Sequence, residues 1–338
     1  MSKKYNVVLV GIGAVGAEML KVIHQRDFPV SDLKILARST REEEIDGRTY
    51  RVRAAAVEEL DGADFVFFAG TEGSKGASAT YGPAAIERGA VGIDNGADFR
   101  LDPEVPLVIP EVNPEDLKKH KGLIASPNCS TIQMLTAVAP LHRESRLKRI
   151  IASTYQAVSG TGRAAIAELD RQARQVLAGE EDVKCEEYPH QIAFNILPQI
   201  GGFKEFGFTT EEWKMDRETK KMLHDDSIRI VCTAVRVPVF NGHAESVYIE
   251  TEEPISVERA REILSAAPGV VLIDEPEAGR YPMPLDASGQ DPVFVGRVRR
   301  DPYVENGLHL WIVADNIRKG AALNVVQIAE KMIADGLV

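Results

Sequence analysis

The stretch Tyr5-Asn6-Val7-Val8-Leu9-Val10, followed at once by Gly11-Ile12-Gly13-Ala14-Val15-Gly16, decides the architecture. A continuous β-rich run leads into a complete GxGxxG. Beyond it Val15, Met19, Val22 and Ile23 recur at helical spacing. A glycine-rich turn between a strand and an amphipathic helix is the arrangement that binds a dinucleotide. Gly11 permits the tight turn, Gly13 lets the backbone approach a pyrophosphate, and Gly16 lets the helix pack closely on its strand. The N–H groups at the helix start, around Ala14 and Val15, are there to hold the anion.

The rest of the first half repeats the theme. Short apolar runs at 33–36, 64–68, 90–94 and 123–125 alternate with helical patterns such as 77–88. Such strands, buried on both faces, predict a parallel sheet flanked by helices. Past about residue 145 the pattern changes to longer runs, several of them alternating apolar and polar residues, at 150–158, 228–239, 245–251, 292–298 and 309–315. Helices are predicted at 162–178, 211–224 and 257–265, and Ala322, Val325, Val326, Ala329, Met332 and Ile333 form one stripe near the end. The expected fold is α/β: a Rossmann-type parallel-sheet domain over 1–128, completed by a C-terminal helix at 318–338, and an α+β domain with a mixed sheet over 129–317.

A chain of 338 residues exceeds what one core usually organises, which agrees with two domains. Forty Lys and Arg against 51 Asp and Glu leave a formal charge of −11, so no broad nucleic-acid face is expected. No apolar run approaches the roughly 18 residues of a membrane span, and residues 1–11 carry no signal-peptide pattern. Cys129, Cys185 and Cys232 lie far apart, without CxxC or HExxH, so neither a disulfide framework nor a metal site is expected. The composition reads as a cytoplasmic protein.

Two features carry chemistry. NAD sites place a carboxylate at the end of the second strand. Here that strand runs into Arg38-Ser39-Thr40, where a guanidinium helped by hydroxyls suits a 2′-phosphate, favouring NADP. Further on, Ser126-Pro127-Asn128-Cys129-Ser130-Thr131 precedes Ile132, Leu135, Val138 and Ala139 on one helical face. Cys129 then stands at a helix N-terminus, where free N–H groups and the helix dipole favour a thiolate. A small buried hydrophobe is the alternative reading for that cysteine; Cys185 and Cys232 lack the setting and read as structural.

Several ordered blocks resemble aspartate-β-semialdehyde dehydrogenases. They are Asn128-Cys129-Ser130-Thr131, the run from Gln156 through Ser159 and Gly160 to Gly162, Glu211-Glu212-Trp213-Lys214, Arg236-Val237-Pro238-Val239 with Gly242-His243, and Asp315-Asn316-Ile317-Arg318-Lys319-Gly320. The resemblance spans nearly the whole chain. It implies an NADP-dependent, phosphorylating aldehyde dehydrogenase that reduces L-aspartyl-4-phosphate to the semialdehyde in lysine, threonine and methionine biosynthesis. It further implies Cys129 as nucleophile, His243 as general acid/base and Gln156 as the residue orienting the acyl-enzyme. Arg236 would hold the substrate carboxylate and Glu211 its amino group, while Arg100, Asn128 and Lys214 would bind phosphate. Ser159, Gly160 and Asn316 join the cofactor contacts, and a homodimer or homotetramer is implied. His243 follows Phe240-Asn241-Gly242, a turn that suggests an exposed imidazole. The chain departs from many relatives at Gly70-Thr71-Glu72-Gly73-Ser74-Lys75-Gly76, and after Arg38 it lacks the usual Ser-Ala-Gly-Lys. Alternatives within reach are an N-acetyl-γ-glutamyl-phosphate reductase, disfavoured because the Glu211 carboxylate suits a free ammonium, and a catalytically silent NADP-binding homologue.

Overall fold

A computed structural model of the chain describes residues 3–70 and 76–338. The departure noted at 71–75 therefore lies outside the described residues. In chain order the elements are β1 (Tyr5–Val10), α1 (Ala14–Gln25), β2 (Val30–Ala37), β3 (Arg41–Ile45), β4 (Arg48–Ala54), β5 (Phe65–Phe68), α2 (Ala77–Glu87), β6 (Val91–Asp94) and β7 (Leu123–Ala125). Then come α3 (Cys129–Glu144), β8 (Leu147–Gln156), α4 (Arg163–Leu177), α5 (Thr210–Leu223), β9 (Arg229–Arg236), β10 (His243–Thr251), α6 (Val257–Ala266) and β11 (Val270–Leu272). The last are α7 (Pro284–Ala287), β12 (Val293–Arg300), β13 (Gly307–Ala314) and, after a π-helical turn at Arg318–Ala322, α8 (Leu323–Ala334). The chain divides into two compact units, 1–127 with 321–338, and 128–320.

The first unit holds a seven-stranded sheet in the order β3-β4-β2-β1-β5-β6-β7. All neighbours are parallel except β3 with β4. That hairpin turns on Asp46 and Gly47, both at positive φ, the two-residue Asp-Gly turn whose twist suits antiparallel strands. Strands β5 and β6 are buried throughout, as apolar strands covered on both faces must be. Leu323, Val325, Val326, Ile328, Ala329 and Met332 of α8 belong to the same core as Val7, Leu9, Phe65 and Phe67. Fully burying a Val, Leu, Ile or Met side chain contributes about 1.5–3 kcal/mol, so the far end of the chain is an integral layer of this unit.

The second unit holds a six-stranded sheet in the order β11-β12-β13-β10-β8-β9, with β8 parallel to β9, β11 parallel to β12, and the other pairs antiparallel. Helix α3 packs on this sheet, against α5 and α6. Nearly every side chain from Ser130 to Leu141 is buried, which makes α3 a central helix instead of a one-faced surface one. Among the described residues no helix is long and apolar enough to cross a membrane. Nor is any group of three His, Cys, Asp or Glu side chains placed to hold a metal.

Candidate active site

The dinucleotide cradle belongs to the first unit. Gly11 has φ +105°, and a Cβ there would stand 2.6 Å from the Ala69 carbonyl carbon and the Gly70 nitrogen. At Gly16 a Cβ would reach 2.1 Å from the Gly11 oxygen. Neither position tolerates a side chain, whereas beside Gly13 a Cβ would meet nothing within 4 Å, so the open side of the turn faces a cleft. Gly13 stands at the N-cap of α1, with Ala14 and Val15 opening the helix. The cleft, of about 750 Å³, is lined by Gly11, Ile12 and Gly13 from the turn, and by Ala37, Arg38, Arg41, Ala69, Thr80 and Tyr81. It lies beyond the carboxyl ends of β1, β2 and β5, where doubly wound sheets take their ligands. The donors and the forbidden Cβ positions fit a dinucleotide.

At the mouth of β2, Arg38 lines the cleft and is exposed, while the Thr40 hydroxyl accepts from the Ala54 N–H and is tied to β4. Ser39 is exposed beside them. Arg41, which the sequence did not single out, also lines the cleft, its guanidinium held on Glu43. Arg100 is buried in the same unit and donates to the carbonyls of Ser126 and Asn95, at 2.9 Å each. Nearby, burial pushes the Asp94 carboxyl up to about 6, although the Gly96 N–H donates to it.

The second unit gathers the remaining candidates at one end of its sheet. Gln156 and Arg236 close the parallel strands β8 and β9 and are register partners. Antiparallel β10 begins at that same end with His243, paired to Ala314, and Asn316 follows just after β13. Cys129 is the first residue of α3. Asn128 caps the helix, its Oδ1 accepting from the N–H groups of Ser130 and Thr131, which leaves Cys129 in the positive first turn. Gly320 packs directly on the nucleophile candidate: a Cβ there would be 2.9 Å from the Cys129 Cβ.

Glu211 joins the pieces. Its Oε1 accepts from Asn128 Nδ2 at 2.8 Å and from Gln156 Nε2 at 3.1 Å, and Lys214 Nζ stands 3.5 Å from Oε2. Burial pushes this carboxyl up, but the Lys214 charge, the two amide hydrogen bonds and the Arg236 charge outweigh it, so its pKa lies below the usual range. Glu211 and Lys214 are thus no solvated surface pair. The Thr209–Glu212 capping box starts α5 and fixes the phase that turns Glu211 inward.

His243 requires a correction. The preceding turn suggested an exposed imidazole, but the ring is fully buried. The residue already belongs to β10, in phase with inward-facing Val247 and Ile249, so the alternation of the strand takes it inside. Its Nδ1 accepts from the Ala157 N–H at 3.0 Å, which leaves the proton of the neutral ring on Nε2. Burial, then the Arg236 charge, holds its pKa well below the ordinary value, and Nε2 has no hydrogen-bond partner among the described residues. The carbonyl of the same residue, Ala157, accepts from Arg236 Nη1 at 2.7 Å. Asn316 Oδ1 accepts from the Gly242 N–H and its amide meets Ser159 Oγ at 3.0 Å. Gly160 lies over the pair, its absent Cβ position 3.0 Å from Arg236 Nη1 and 3.3 Å from His243 Nε2. Ala157 and Gly320 contribute backbone and empty space, for which no side-chain signal exists in the sequence.

Comparison with known proteins agrees with this arrangement. Residues 6–120 match the family model for the semialdehyde dehydrogenase NAD binding domain, and 138–319 match the semialdehyde dehydrogenase dimerisation domain. The aspartate-semialdehyde dehydrogenase of Aquifex aeolicus is 50% identical, covering 99% of both chains, and that of Bacillus subtilis 45%, covering 98% of both. The crystal structure of aspartate semialdehyde dehydrogenase II of Vibrio cholerae, complexed with ASA, superposes with a TM-score of 0.93 at 44% identity over 99% of each chain. With a helix that begins at Cys129, a buried Glu211 carboxylate and a glycine cradle, in a chain matched along nearly its full length by such relatives, the chain belongs to the aspartate-semialdehyde dehydrogenase family.

Proposed function

We propose that this chain is an NADP-dependent, phosphorylating aspartate-semialdehyde dehydrogenase, interconverting L-aspartyl-4-phosphate and L-aspartate-4-semialdehyde with release or uptake of inorganic phosphate. The observation that carries the reading is the buried, ionised Glu211 held by Asn128 and Gln156 next to the Cys129 helix start. A carboxylate there suits the free ammonium of an aspartyl group and repels nothing on it. An acetylated amine would leave the same carboxylate buried and unmatched, a costly arrangement.

In the biosynthetic direction the Cys129 thiolate attacks the acyl-phosphate carbonyl, the C–O bond to phosphate breaks, and a thioester remains on the protein. The Cys129 helix start supplies N–H groups that stabilise charge on the sulfur and on the carbonyl oxygen. NADPH, when bound, supplies the hydride that reduces the thioester. His243 donates its Nε2–H as a hydrogen bond to the oxygen that bears negative charge before and after reduction, and that oxygen re-forms the carbonyl as the C–S bond breaks, releasing the semialdehyde and the Cys129 thiolate. The Ala157 N–H on Nδ1 supports this donor role, because a ring carrying its proton on Nδ1 would set two donors against each other. Gln156 orients the acyl group, Arg236 offers its fork to the α-carboxylate, and Arg100, Asn128 and Lys214 take the phosphate. Gly11, Gly13, Ala14, Val15 and Gly16 cradle the pyrophosphate; Arg38, with Ser39 and Thr40, meets the 2′-phosphate; Ser159, Gly160 and Asn316 complete the cofactor contacts. Residues 1–128 with 318–338 are the cofactor domain, and 129–317 the catalytic and dimerisation domain.

The protein works as a cytoplasmic homo-oligomer, a reading supported by three cysteines of which none is in a disulfide and by its dimerisation-domain match. Exposed Ile151, Tyr155 and Val231 on the outer face of the second sheet fit a second copy. The test is phosphate-dependent reduction of NADP with L-aspartate-β-semialdehyde, beside a Cys129→Ala control. Turnover that vanishes in the variant supports substrate, cofactor and nucleophile together. Turnover with N-acetylglutamate semialdehyde alone would overturn the Glu211 assignment.

A further inference from the structure

Glu245 is a buried acid that the chemistry above does not use. It shares the inward phase of β10 with His243, is fully buried, and neither of its carboxyl oxygens closes a hydrogen bond among the described residues. Ser130 and Gln133 of α3 act on it, and both are fully buried. The Ser130 hydroxyl and both amide atoms of Gln133 likewise lack partners of normal geometry. Its cross-strand neighbours, Thr154 on β8 and Ile312 on β13, bring no charge. Burial pushes the carboxyl well up; only the Ser130 and Gln133 dipoles oppose it, and no cation does. The other titratable neighbour is Cys232 of β9, whose thiol is itself raised, by burial first and then by Glu245, Glu212 and Asp216.

Orphaned polar atoms in a dry interior are expensive, and a cluster of them facing one another is a network waiting for a proton. An ionised carboxylate only accepts, which would leave the Gln133 carbonyl oxygen unmatched. An un-ionised acid brings one O–H and one carbonyl, enough to donate to Gln133 Oε1 and to accept from the Ser130 hydroxyl or the Gln133 amide. We propose that Glu245 is a positioning residue for the reaction: its side chain ties β10, which begins with His243, to Ser130 and Gln133 on α3, which begins with Cys129, keeping imidazole and nucleophile in register. The inference rests on the roles proposed above for those two residues. Glu245 touches neither substrate nor cofactor; it acts through the two elements it joins.

The test uses the whole enzyme and three readouts. Infrared difference spectra of wild type against Glu245→Gln at pH 8 are expected to show the carbonyl band of an un-ionised acid, lost in the variant. Glu245→Gln keeps one donor and one acceptor and is expected to retain kcat within about threefold. Glu245→Leu (or Glu245→Met, if the branched chain prevents folding) is expected to lower kcat at least tenfold with KM within twofold. It should also move the pH profile of Cys129 alkylation, followed on the Cys129 peptide by mass spectrometry, by about one unit. A merely structural acid would lower the unfolding temperature and leave that profile in place. The proposal is overturned by the absence of the un-ionised band, by equal losses in the glutamine and apolar variants, or by a wild-type alkylation profile in the apolar variant. The band and the alkylation profile need no substrate, so they decide the role of Glu245 even if aspartate semialdehyde proves not to be turned over.

Discussion

Gly160→Ala is a sharp probe of how tightly the end of the second sheet that carries Gln156, Arg236 and His243 is held. Gly160 ends the short 3-10 turn Val158–Gly160, is solvent-exposed, and its backbone conformation is open to alanine. The added methyl would stand 3.0 Å from Arg236 Nη1 and 3.3 Å from both Cε1 and Nε2 of His243, so each neighbour must yield by a few tenths of an ångström. Neither is free to do so. His243 is pinned through Nδ1 to the Ala157 N–H, and Arg236 through Nη1 to the Ala157 carbonyl. Loosening both bonds costs about 1–2 kcal/mol, which corresponds to a roughly 5- to 30-fold fall in kcat/KM. Replacing an exposed glycine by alanine, in contrast, is neutral or stabilising by up to about 1 kcal/mol. The assay is steady-state turnover beside thermal unfolding and NADPH affinity. Turnover within twofold of wild type at an unchanged unfolding temperature would refute the claim that the Ala157 backbone fixes both side chains.

Three further outcomes follow from the same structure. Arg38→Ala removes the cleft guanidinium that makes no ion pair among the described residues, and is expected to raise the KM for NADP by about 10- to 100-fold, the worth of a charged hydrogen bond, while sparing any turnover with NAD. Asn324 donates to the Val108 carbonyl and the Ser126 hydroxyl from a fully buried site. Asn324→Leu orphans both and should destabilise by about 2–4 kcal/mol in urea unfolding. Asp94, raised by burial to about 6, keeps in the folded state a proton that the unfolded chain loses near 3.8. Wild-type stability should therefore fall as pH rises from 4 to 6, by up to about 1.4 kcal/mol per unit. The advantage of Asp94→Asn over wild type should grow through that window and stay level above it; a constant difference across the range would exclude the linkage.

Much of this was legible in advance because its signals are local. The phosphate turn, the helix that begins at Cys129 and the alternating strands of the second sheet each announce themselves within a dozen residues. The β3–β4 hairpin was overlooked although Asp46-Gly47 is a strong turn signal, because the Arg-Glu-Glu-Glu run before it reads as solvated charge. It is in fact a sheet edge, where charge protects against pairing. His243 reads as exposed for a different reason: it directly follows a Phe-Asn-Gly turn, and the Val247 and Ile249 that set the inward phase of β10 lie further along the strand. The anchoring of His243 and Arg236 on the N–H and the carbonyl of one residue, Ala157, is a property of tertiary approach, which no pattern of side chains encodes.

The placement of α8 also has a consequence for biosynthesis of the polypeptide itself. Residues 5–125 leave the ribosome early, yet the face of their sheet that Val325, Val326, Ile328 and Met332 cover stays bare until the final segment emerges. At about 5–20 residues per second, translating the intervening residues 128–320 takes on the order of tens of seconds. During that interval the nascent nucleotide-binding half displays an uncovered apolar layer, while the segment made second holds all of its own strands before synthesis ends. The half that begins first is completed last, and a chain truncated before Leu323 would be a client for chaperones.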